Sequence, residues 1–206
     1  MNDREQFLRI VRDNDIDITP TQLEMCDAYV KSLIKWQEHI NLVGLSTLKN
    51  PYTRHVLDAL QLIQDVPRGT ILDVGSGGGV PGLVWAIFLN NPIYLCERIG
   101  KKATFLKSMV RELDLEDRCK VIHDDVTNVK MVFDIITARA VTNLDNFLRL
   151  TTQQRKHDTL YIVLKGAAGD DEVLTAHKKW IFDCKAIHSL VNKSSKNFFI
   201  TNIVSK

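Results

Sequence analysis

The sequence lacks the marks of several large classes of protein. No apolar run approaches the ~20 residues of a membrane-spanning helix, and the charged segment 1–17 contains no apolar stretch like that of a secretory signal. The four cysteines lie far apart without a Cys-x-x-Cys pair, and the six histidines show no ligand spacing. We therefore expect no membrane anchor, no disulfide framework and no metal, and we expect a reducing, cytoplasmic location.

Repeats and low-complexity segments are missing too. With 45% hydrophobic residues among 206, the chain can bury one full core. Residues 1–67 are predicted to form a helical unit, because no convincing strand precedes residue 69. Within it, Thr19 and Gln22 form a capping box around Pro20 at the first helical position, and an amphipathic helix follows.

The remainder, residues 68–206, alternates short apolar runs with helical patterns. Five predicted strands span residues 70–74, 92–97, 120–123, 132–138 and 160–165, and two more at 186–191 and 197–204 close the sheet. Strands that are apolar on both faces are typical of a parallel sheet covered by helices on both sides. The fold class is therefore α/β, a Rossmann-like sheet preceded by a small helical N-terminal unit.

A glycine-rich loop follows the first predicted strand and is the most specific feature of the chain. Glycines allow a backbone turn with positive φ, and the next helix offers free N–H groups to a ligand. A dinucleotide pattern G-x-G-x-x-G can be read through Gly77, Gly79 and Gly82. A methyltransferase pattern G-x-G-x-G can be read through Gly75, Gly77 and Gly79, and we favour it because these glycines follow the strand at once.

Two carboxylates accompany the loop. Asp73, at the tip of the first strand, suits the ammonium of a methionine group better than it suits a pyrophosphate. Glu97 closes the second strand, where a carboxylate can accept both hydroxyls of a ribose. Glu97 predicts a nucleoside, although it does not distinguish NAD from S-adenosylmethionine.

Several motifs in order then resemble one family, the bacterial 16S rRNA (guanine-N7)-methyltransferases, also called RsmG or glucose-inhibited division protein B. The resemblance runs from about residue 20 to 166. The matching motifs are the loop from Ile71 to its Pro81-Gly82 end, Trp36 with Asn41-Leu42, Arg54-His55-x-x-Asp58, Gly100-Lys101-Lys102-x-x-Phe105-Leu106, Thr137-Ala138-Arg139-Ala140 and Lys165-Gly166.

The resemblance implies a class I methyltransferase that uses S-adenosyl-L-methionine to methylate N7 of a guanine in the decoding region of 16S rRNA. It puts Gly75 and Val80 in the cofactor loop and Val126 and Thr127 beside the adenine. Arg139 would face cofactor and target base, so it is our candidate catalytic residue as well as a cofactor ligand. The expected partner is 16S rRNA or the small ribosomal subunit, bound by a monomer.

Five further residues are candidate contacts to RNA. They are His55, Asp58, Lys101, Lys102 and Lys165. The two lysines at 101 and 102 belong to a segment, 98–111, that carries five basic residues and no acidic one, a pattern that can follow an RNA backbone.

The predicted chemistry fits what the sequence omits. Guanine N7 has a free lone pair and needs no deprotonation, so the protein has to supply mainly proximity and orientation. The chain has no Asn-Pro-Pro-Tyr string of the kind used on exocyclic amines, and no cysteine comes directly after the fourth predicted strand, where a C5 nucleophile would be required.

The sequence also departs from the family. The usual Gly-Arg-Ala-Glu stretch is Asp124-Asp125-Val126-Thr127 here, and Ala59 replaces a serine after Asp58. These departures keep open a non-catalytic RNA-binding ribosome-assembly factor with a methyltransferase fold. An NAD-dependent oxidoreductase is a second alternative, although the chain has no Tyr-x-x-x-Lys pattern.

Overall fold

The structure is a computed structural model that describes residues 2–206, and it is built on one mixed sheet of seven strands in the order β3-β2-β1-β4-β5-β7-β6. Strands β1 to β5 are parallel, whereas β7 runs antiparallel to both β5 and β6. The strands are β1 (Ile71–Val74), β2 (Ile93–Cys96), β3 (Cys119–Ile122), β4 (Phe133–Arg139), β5 (Arg155–Lys165), β6 (Trp180–His188) and β7 (Lys196–Ser205).

Seven α-helices surround the sheet or precede it. They are α1 (Asp3–Asp13), α2 (Pro20–Gln37), α3 (Asp58–Leu60), α4 (Gly82–Phe88), α5 (Gly100–Glu112), α6 (Leu144–Leu150) and α7 (Gly169–Ala176). Short 3₁₀ turns lie at Leu45–Lys49, Ile63–Asp65 and Val126–Asn128, and a π-helical segment at Tyr52–Leu57 leads directly into α3. None of the helices within residues 2–206 is long and apolar enough to cross a membrane.

The start of α2 follows the predicted capping box. The Thr19 side chain accepts a hydrogen bond from the Gln22 N–H at 3.2 Å, and the Gln22 side chain accepts one from the Thr19 N–H at 3.0 Å. At the other end, the buried Oε1 of Gln37 accepts from the N–H groups of Leu42 and Val43 at 2.8 and 2.9 Å. Gln37 is a buried polar residue at the end of α2, and these two hydrogen bonds stabilise the turn of the chain after the helix.

The π-helical segment lies within the predicted helical unit, and it is wider than a regular α-helix. Its first N–H groups are capped by Asp3 of α1, whose carboxylate accepts from the Tyr52 N–H at 2.7 Å and from the Thr53 hydroxyl at 2.6 Å. π-helical turns are rare and often occur at functional sites. The wide turn carries His55, which it buries at 1% exposure.

The two faces of the sheet support two apolar clusters. Ile71 and Leu72 are successive residues of β1 and belong to different clusters, as expected for a strand covered on both sides. One cluster contains α4, α5 and buried residues of α1 and α2, so the N-terminal helices and the sheet share one core. The other contains residues of α6 and α7.

The structure confirms the α/β fold and differs from the sequence prediction in detail. Helices α1 and α7 were not predicted, and β6 begins at Trp180 rather than at residue 186. Because β6 is an edge strand with mostly exposed side chains, charged residues interrupt its apolar pattern. Cys184 is exposed on this strand, whereas Cys26, Cys96 and Cys119 are buried.

Candidate active site

The glycine loop lies at the carboxyl ends of the parallel strands, where the strand order reverses. Strand β1 pairs with β2 on one side and with β4 on the other, and ligands of open α/β sheets bind at such switch points. Gly75 has a φ of +66°, and a Cβ at this position would lie 2.8 Å from Val141 Cγ2. Only glycine therefore fits between the end of β1 and the segment that follows β4.

Glu97 is buried and holds the loop in place. Its Oε2 accepts from the Gly77 N–H at 2.9 Å, and its Oε1 accepts from the Ile99 N–H at 2.8 Å. A carboxylate has about four acceptor positions, so Glu97 can fix the loop and still accept a hydrogen bond from a ligand hydroxyl.

Asp73 turns away from the position that the sequence predicted for it. The side chain is completely buried, its Oδ2 accepts from the Gly82 N–H at 3.1 Å, and it lines neither of the two cavities described below. A Cβ at Gly82 would come within 2.6 Å of the Asp73 Cβ, so the start of α4 packs directly on this carboxyl group. Burial raises the pKa of Asp73 to about 7. In this geometry Asp73 holds the end of the glycine loop at Gly82, on the side away from the two cavities.

A contact from the N-terminal helices, which sequence reasoning missed, also fixes the loop. The buried hydroxyl of Tyr29 on α2 donates to the Gly78 carbonyl at 2.7 Å. The Trp85 indole of α4 donates to the Ala59 carbonyl at 3.0 Å. The glycine loop is thus held between the sheet and the N-terminal unit.

Two cavities meet at this loop and share Gly75, Val141 and Thr142 in their walls. The smaller has a volume of about 310 Å³ and lies at the ends of β1 and β2. Its walls contain Glu97 and Val126, two of the residues predicted to bind the cofactor, together with Asp125, Arg98 and Asn146, which were not predicted as site residues.

Thr127 lies outside this smaller cavity. Its N–H and its hydroxyl donate to Asp125 Oδ1 at 3.0 and 2.7 Å, and its side chain is exposed. Asp125 caps the short 3₁₀ turn in this way and takes the place at the cavity wall. The position of Asp125 next to Val126 was the only signal that could have identified it.

The larger cavity has a volume of about 910 Å³ and lies between the glycine loop, the N-terminal unit and the ends of β4, β5 and β7. It collects most of the residues predicted to touch cofactor or RNA. They are Gly75, Gly77, Val80, His55, Asp58, Lys102, Arg139 and Lys165. Gly79 and Lys101 line neither cavity, and Lys101 is exposed on α5.

Arg139 is the centre of a polar cluster in the larger cavity. Its Nη1 donates to the Arg54 carbonyl at 2.9 Å and to Asp58 Oδ2 at 3.2 Å, and its Nη2 lies 3.0 Å from His55 Nδ1. Burial and the charges of Arg139 and Arg54 lower the pKa of His55 to about 3, so the imidazole is neutral at physiological pH. Burial raises the pKa of Asp58, while Arg139 opposes this shift.

Lys165 is already paired within the protein. Its Nζ forms an ion pair with Glu172 Oε2 at 2.8 Å and donates to the Thr142 carbonyl at 2.6 Å, and only 9% of the side chain is exposed. Lys102 lines the same cavity and makes no ion pair within residues 2–206. Of the three predicted lysines, Lys102 is therefore the one best placed to meet an anion inside the cavity.

The comparisons with known proteins point to one family. The model of the family described as rRNA small subunit methyltransferase G matches residues 22–201. A curated protein of that name from Rhodospirillum rubrum is 36% identical over 170 residues, which are 81% of this chain and 83% of the relative. Its counterpart from Ruegeria pomeroyi is 31% identical and covers 92% of this chain and 96% of the relative.

The chain belongs to the rRNA small subunit methyltransferase G family.

Solved structures support the fold of this methyltransferase. An O-methyltransferase from Bacillus cereus in complex with SAH superposes with a TM-score of 0.60 at 14% identity, covering 94% of this chain and 96% of that one. A ribosomal protein L11 methylase from Lactobacillus delbrueckii subsp. bulgaricus gives a TM-score of 0.57 at 14% identity over 74% of this chain and 79% of that one. At such low identities the likeness concerns the fold alone.

Membership of this family confirms the predicted enzyme class, an S-adenosylmethionine-dependent rRNA methyltransferase, over the oxidoreductase alternative. The two cavities also fit the cofactor. S-adenosylmethionine joins an adenosine to an amino acid, and the cavities meet at Gly75, with Glu97 in the smaller and Arg139 in the larger. Within residues 2–206, no cluster of His, Cys, Asp or Glu side chains could hold a metal ion.

Proposed function

We propose that this methyltransferase transfers a methyl group from S-adenosyl-L-methionine to N7 of a guanine in the decoding region of 16S rRNA. The proposal combines the family with the chemistry of the larger cavity. The observation that carries it is the state of the groups that could act as a base there.

All three candidate bases of the larger cavity are occupied. Both nitrogens of His55 contact protein groups, Arg139 and Thr47. Asp58 is paired with Arg139, and Glu172 is paired with Lys165. A nucleophile that must first lose a proton would find no free base among these groups, whereas guanine N7 attacks with its own lone pair. The cavity therefore favours N7 over an exocyclic amine or a hydroxyl.

The residues of the smaller cavity would hold the nucleoside end of the cofactor. Glu97 would accept hydrogen bonds from the ribose, and Val126 would contact the adenine beside Asp125. Gly75, Gly77 and Val80 would form the floor under the amino acid end, with Gly79 shaping the loop. Bound there, S-adenosylmethionine supplies the electrophilic methyl group, and the protein orients it and excludes water.

Arg139 would bind an anionic group of cofactor or RNA. An arginine paired with guanine N7 itself would block the reaction, so contact with a carboxylate or a phosphate is the better role. Lys102 would meet an RNA phosphate inside the cavity, and Lys101 would meet one at the surface of α5.

The test is the 7-methylguanosine content of 16S rRNA from a strain that lacks this gene. We expect the modified nucleoside to be missing from the decoding region and to return when the wild-type gene is restored. Arg139→Gln should fail to restore it, because glutamine keeps a polar side chain but loses the charge and the donor fork. Total 7-methylguanosine after nuclease digestion, measured by mass spectrometry, is the readout.

Two results would contradict the proposal. Unchanged 7-methylguanosine with another base losing its methyl group would reassign the target. An unchanged methylation pattern, with particles that fail to mature in the deletion strain and recover with Arg139→Gln, would support the non-catalytic assembly factor. Calorimetric titration of the purified protein with S-adenosylmethionine separates these cases, since only an enzyme needs to bind it.

A further inference from the structure

The guanidinium of Arg139 keeps donors that its contacts within residues 2–206 do not use. Its three hydrogen bonds to residues 2–206 use Nη1, toward Arg54 and Asp58, and one side of Nη2, toward His55. A guanidinium has five N–H donors in a fixed plane. The Nε–H and one Nη2 hydrogen have no partner within residues 2–206, and the Nε–Nη2 edge of a guanidinium can bind two coplanar oxygens of a carboxylate or phosphate.

The hydrogen bonds behind His55 fix its tautomer. Arginine has only donors, so the His55 Nδ1 that faces Arg139 at 3.0 Å must be the acceptor. The proton of the neutral ring then lies on Nε2, which donates to Thr47 Oγ1 at 3.0 Å. The Thr47 hydroxyl in turn donates to the Gly44 carbonyl at 2.6 Å. The donor and the acceptor of each hydrogen bond in this chain, from Arg139 to Gly44, are therefore assigned.

The chain connects two walls of the larger cavity. Gly44 and Thr47 belong to the segment after α2, His55 to the π-helical segment, and Arg139 to the end of β4. We propose that Thr47 and His55 are positioning residues that orient Arg139, so that its Nε–Nη2 edge binds an oxyanion in the larger cavity. This inference rests on the proposed function, in which the oxyanion is the cofactor carboxylate or an RNA phosphate.

Two substitutions of His55 separate the two halves of the chain of bonds. The oxygen of His55→Asn can take the place of Nδ1 and accept from Arg139, whereas the amide of His55→Gln reaches the place of Nε2 and keeps only the bond to Thr47. Both variants remove the imidazole, so each controls for the other. Asp58 pairs with Arg139 in both.

The readout is affinity for two ligands that differ in the carboxylate. S-adenosylhomocysteine has the amino acid end, and 5′-methylthioadenosine lacks it. We expect His55→Gln to weaken S-adenosylhomocysteine about tenfold, as for loss of an aligned charged hydrogen bond, and to leave methylthioadenosine unchanged. His55→Asn keeps the bond to Arg139 and loses only the bond to Thr47, so it should weaken S-adenosylhomocysteine less than His55→Gln does and leave methylthioadenosine unchanged. These results would show that the Nε–Nη2 edge of Arg139 binds the cofactor carboxylate.

If the Nε–Nη2 edge of Arg139 binds an RNA phosphate instead, the expected result is different. His55→Gln would then raise the KM for RNA about tenfold while both nucleosides bind as in the wild type, and His55→Asn would again have the smaller effect. Equal loss of both nucleosides in His55→Gln, or no change in nucleosides and RNA, would overturn the positioning role. A wild-type protein that binds neither nucleoside would instead overturn the proposed function.

A second variant tests the link to Thr47. Thr47→Val keeps the shape but leaves the His55 Nε2–H unpaired, so it should weaken S-adenosylhomocysteine in the wild-type background. In the His55→Asn background that link is already broken, and Thr47→Val should have no further effect. Additive losses in the double variant would contradict the chain of bonds, because independent sites add.

Discussion

At the scale of single residues, the carboxyl group of Asp73 makes a prediction about pH. Burial raises its pKa to about 7 from the usual 3.8. A carboxyl group with a raised pKa in the folded state stabilises the fold fully below the unfolded pKa, and it loses that contribution as the pH rises to the folded pKa. The wild type should therefore lose stability between about pH 4 and 7 relative to Asp73→Asn, by up to about 1.4 kcal/mol per pH unit.

The measurement is urea unfolding of both proteins at pH 5, 6 and 7. The amide introduced by Asp73→Asn does not titrate, and its oxygen can still accept from the Gly82 N–H, so the comparison isolates ionisation. The absolute stabilities are less informative, because Asp73 Oδ1 has no hydrogen-bond partner in residues 2–206 and an amide could place a donor there. Stability curves that stay parallel across this range would mean that Asp73 titrates normally.

Individual site residues could be found from the sequence, whereas their contacts could not. Motifs pointed to His55, Asp58 and Arg139, but the hydrogen bonds between them join positions more than 80 apart. Asp73 shows the limit most clearly. A carboxylate at a strand tip can turn toward a ligand or back toward the next helix, and the choice depends on how closely α4 packs, which a local pattern does not contain.

At the scale of elements, α2 supports the glycine loop through one hydroxyl group. Tyr29→Phe removes the hydrogen bond to the Gly78 carbonyl and leaves that buried acceptor without its partner. We expect a loss of about 1–3 kcal/mol in the free energy of unfolding, with weaker binding of S-adenosylmethionine because the loop is less well held. Denaturant unfolding and calorimetric titration measure the two effects.

The matched control is Tyr52→Phe, which removes a hydroxyl that donates to Asp27 at 2.8 Å, away from the loop. It should lower stability without changing cofactor affinity more than the stability loss explains. If both variants bind S-adenosylmethionine like the wild type, the contact between α2 and the loop contributes only to folding.

The elements that the sequence predicted best are the ones with the simplest patterns. The buried parallel strands are short apolar runs, and α2 combines a capping box with an amphipathic stripe. Helix α1 was missed although Asn2 and Glu5 form a capping box, because only Phe7 and Val11 of its apolar residues are fully buried. The π-helical turn was missed because it depends on Asp3, some 50 positions away.

At the scale of the whole molecule, the boundary between residues 67 and 68 separates two sequence patterns, and it stays a prediction as a domain boundary. Leu33 and Leu60 lie in the same apolar cluster as Leu83 and Leu106. Because the two parts share this core, the N-terminal unit is packed firmly against the sheet where it forms one wall of the larger cavity. Substrate-side residues on both sides of the boundary are thereby held in one frame.

The charge of the whole surface matters for RNA, and Lys102 offers a way to measure it. If Lys102 meets a phosphate, Lys102→Gln should raise the KM for RNA and reduce the slope of log affinity against log salt by about 0.7–0.9. Cofactor affinity should not change, because in the proposed function Lys102 contacts the RNA and not the cofactor. Measured rates of methyl transfer at several salt concentrations give both quantities.

The control for that experiment is Lys130→Gln, which removes the same charge from an exposed lysine before β4, at the amino ends of the strands. A general loss of positive potential would change both variants equally. A contact inside the cavity would change the KM for RNA and the salt slope of Lys102→Gln alone. The difference in slope would then correspond to one phosphate bound at the mouth of the site. Equal slopes in the two variants and the wild type would remove Lys102 from the RNA interface and leave the outer face of α5, with Lys101, as the surface that RNA meets.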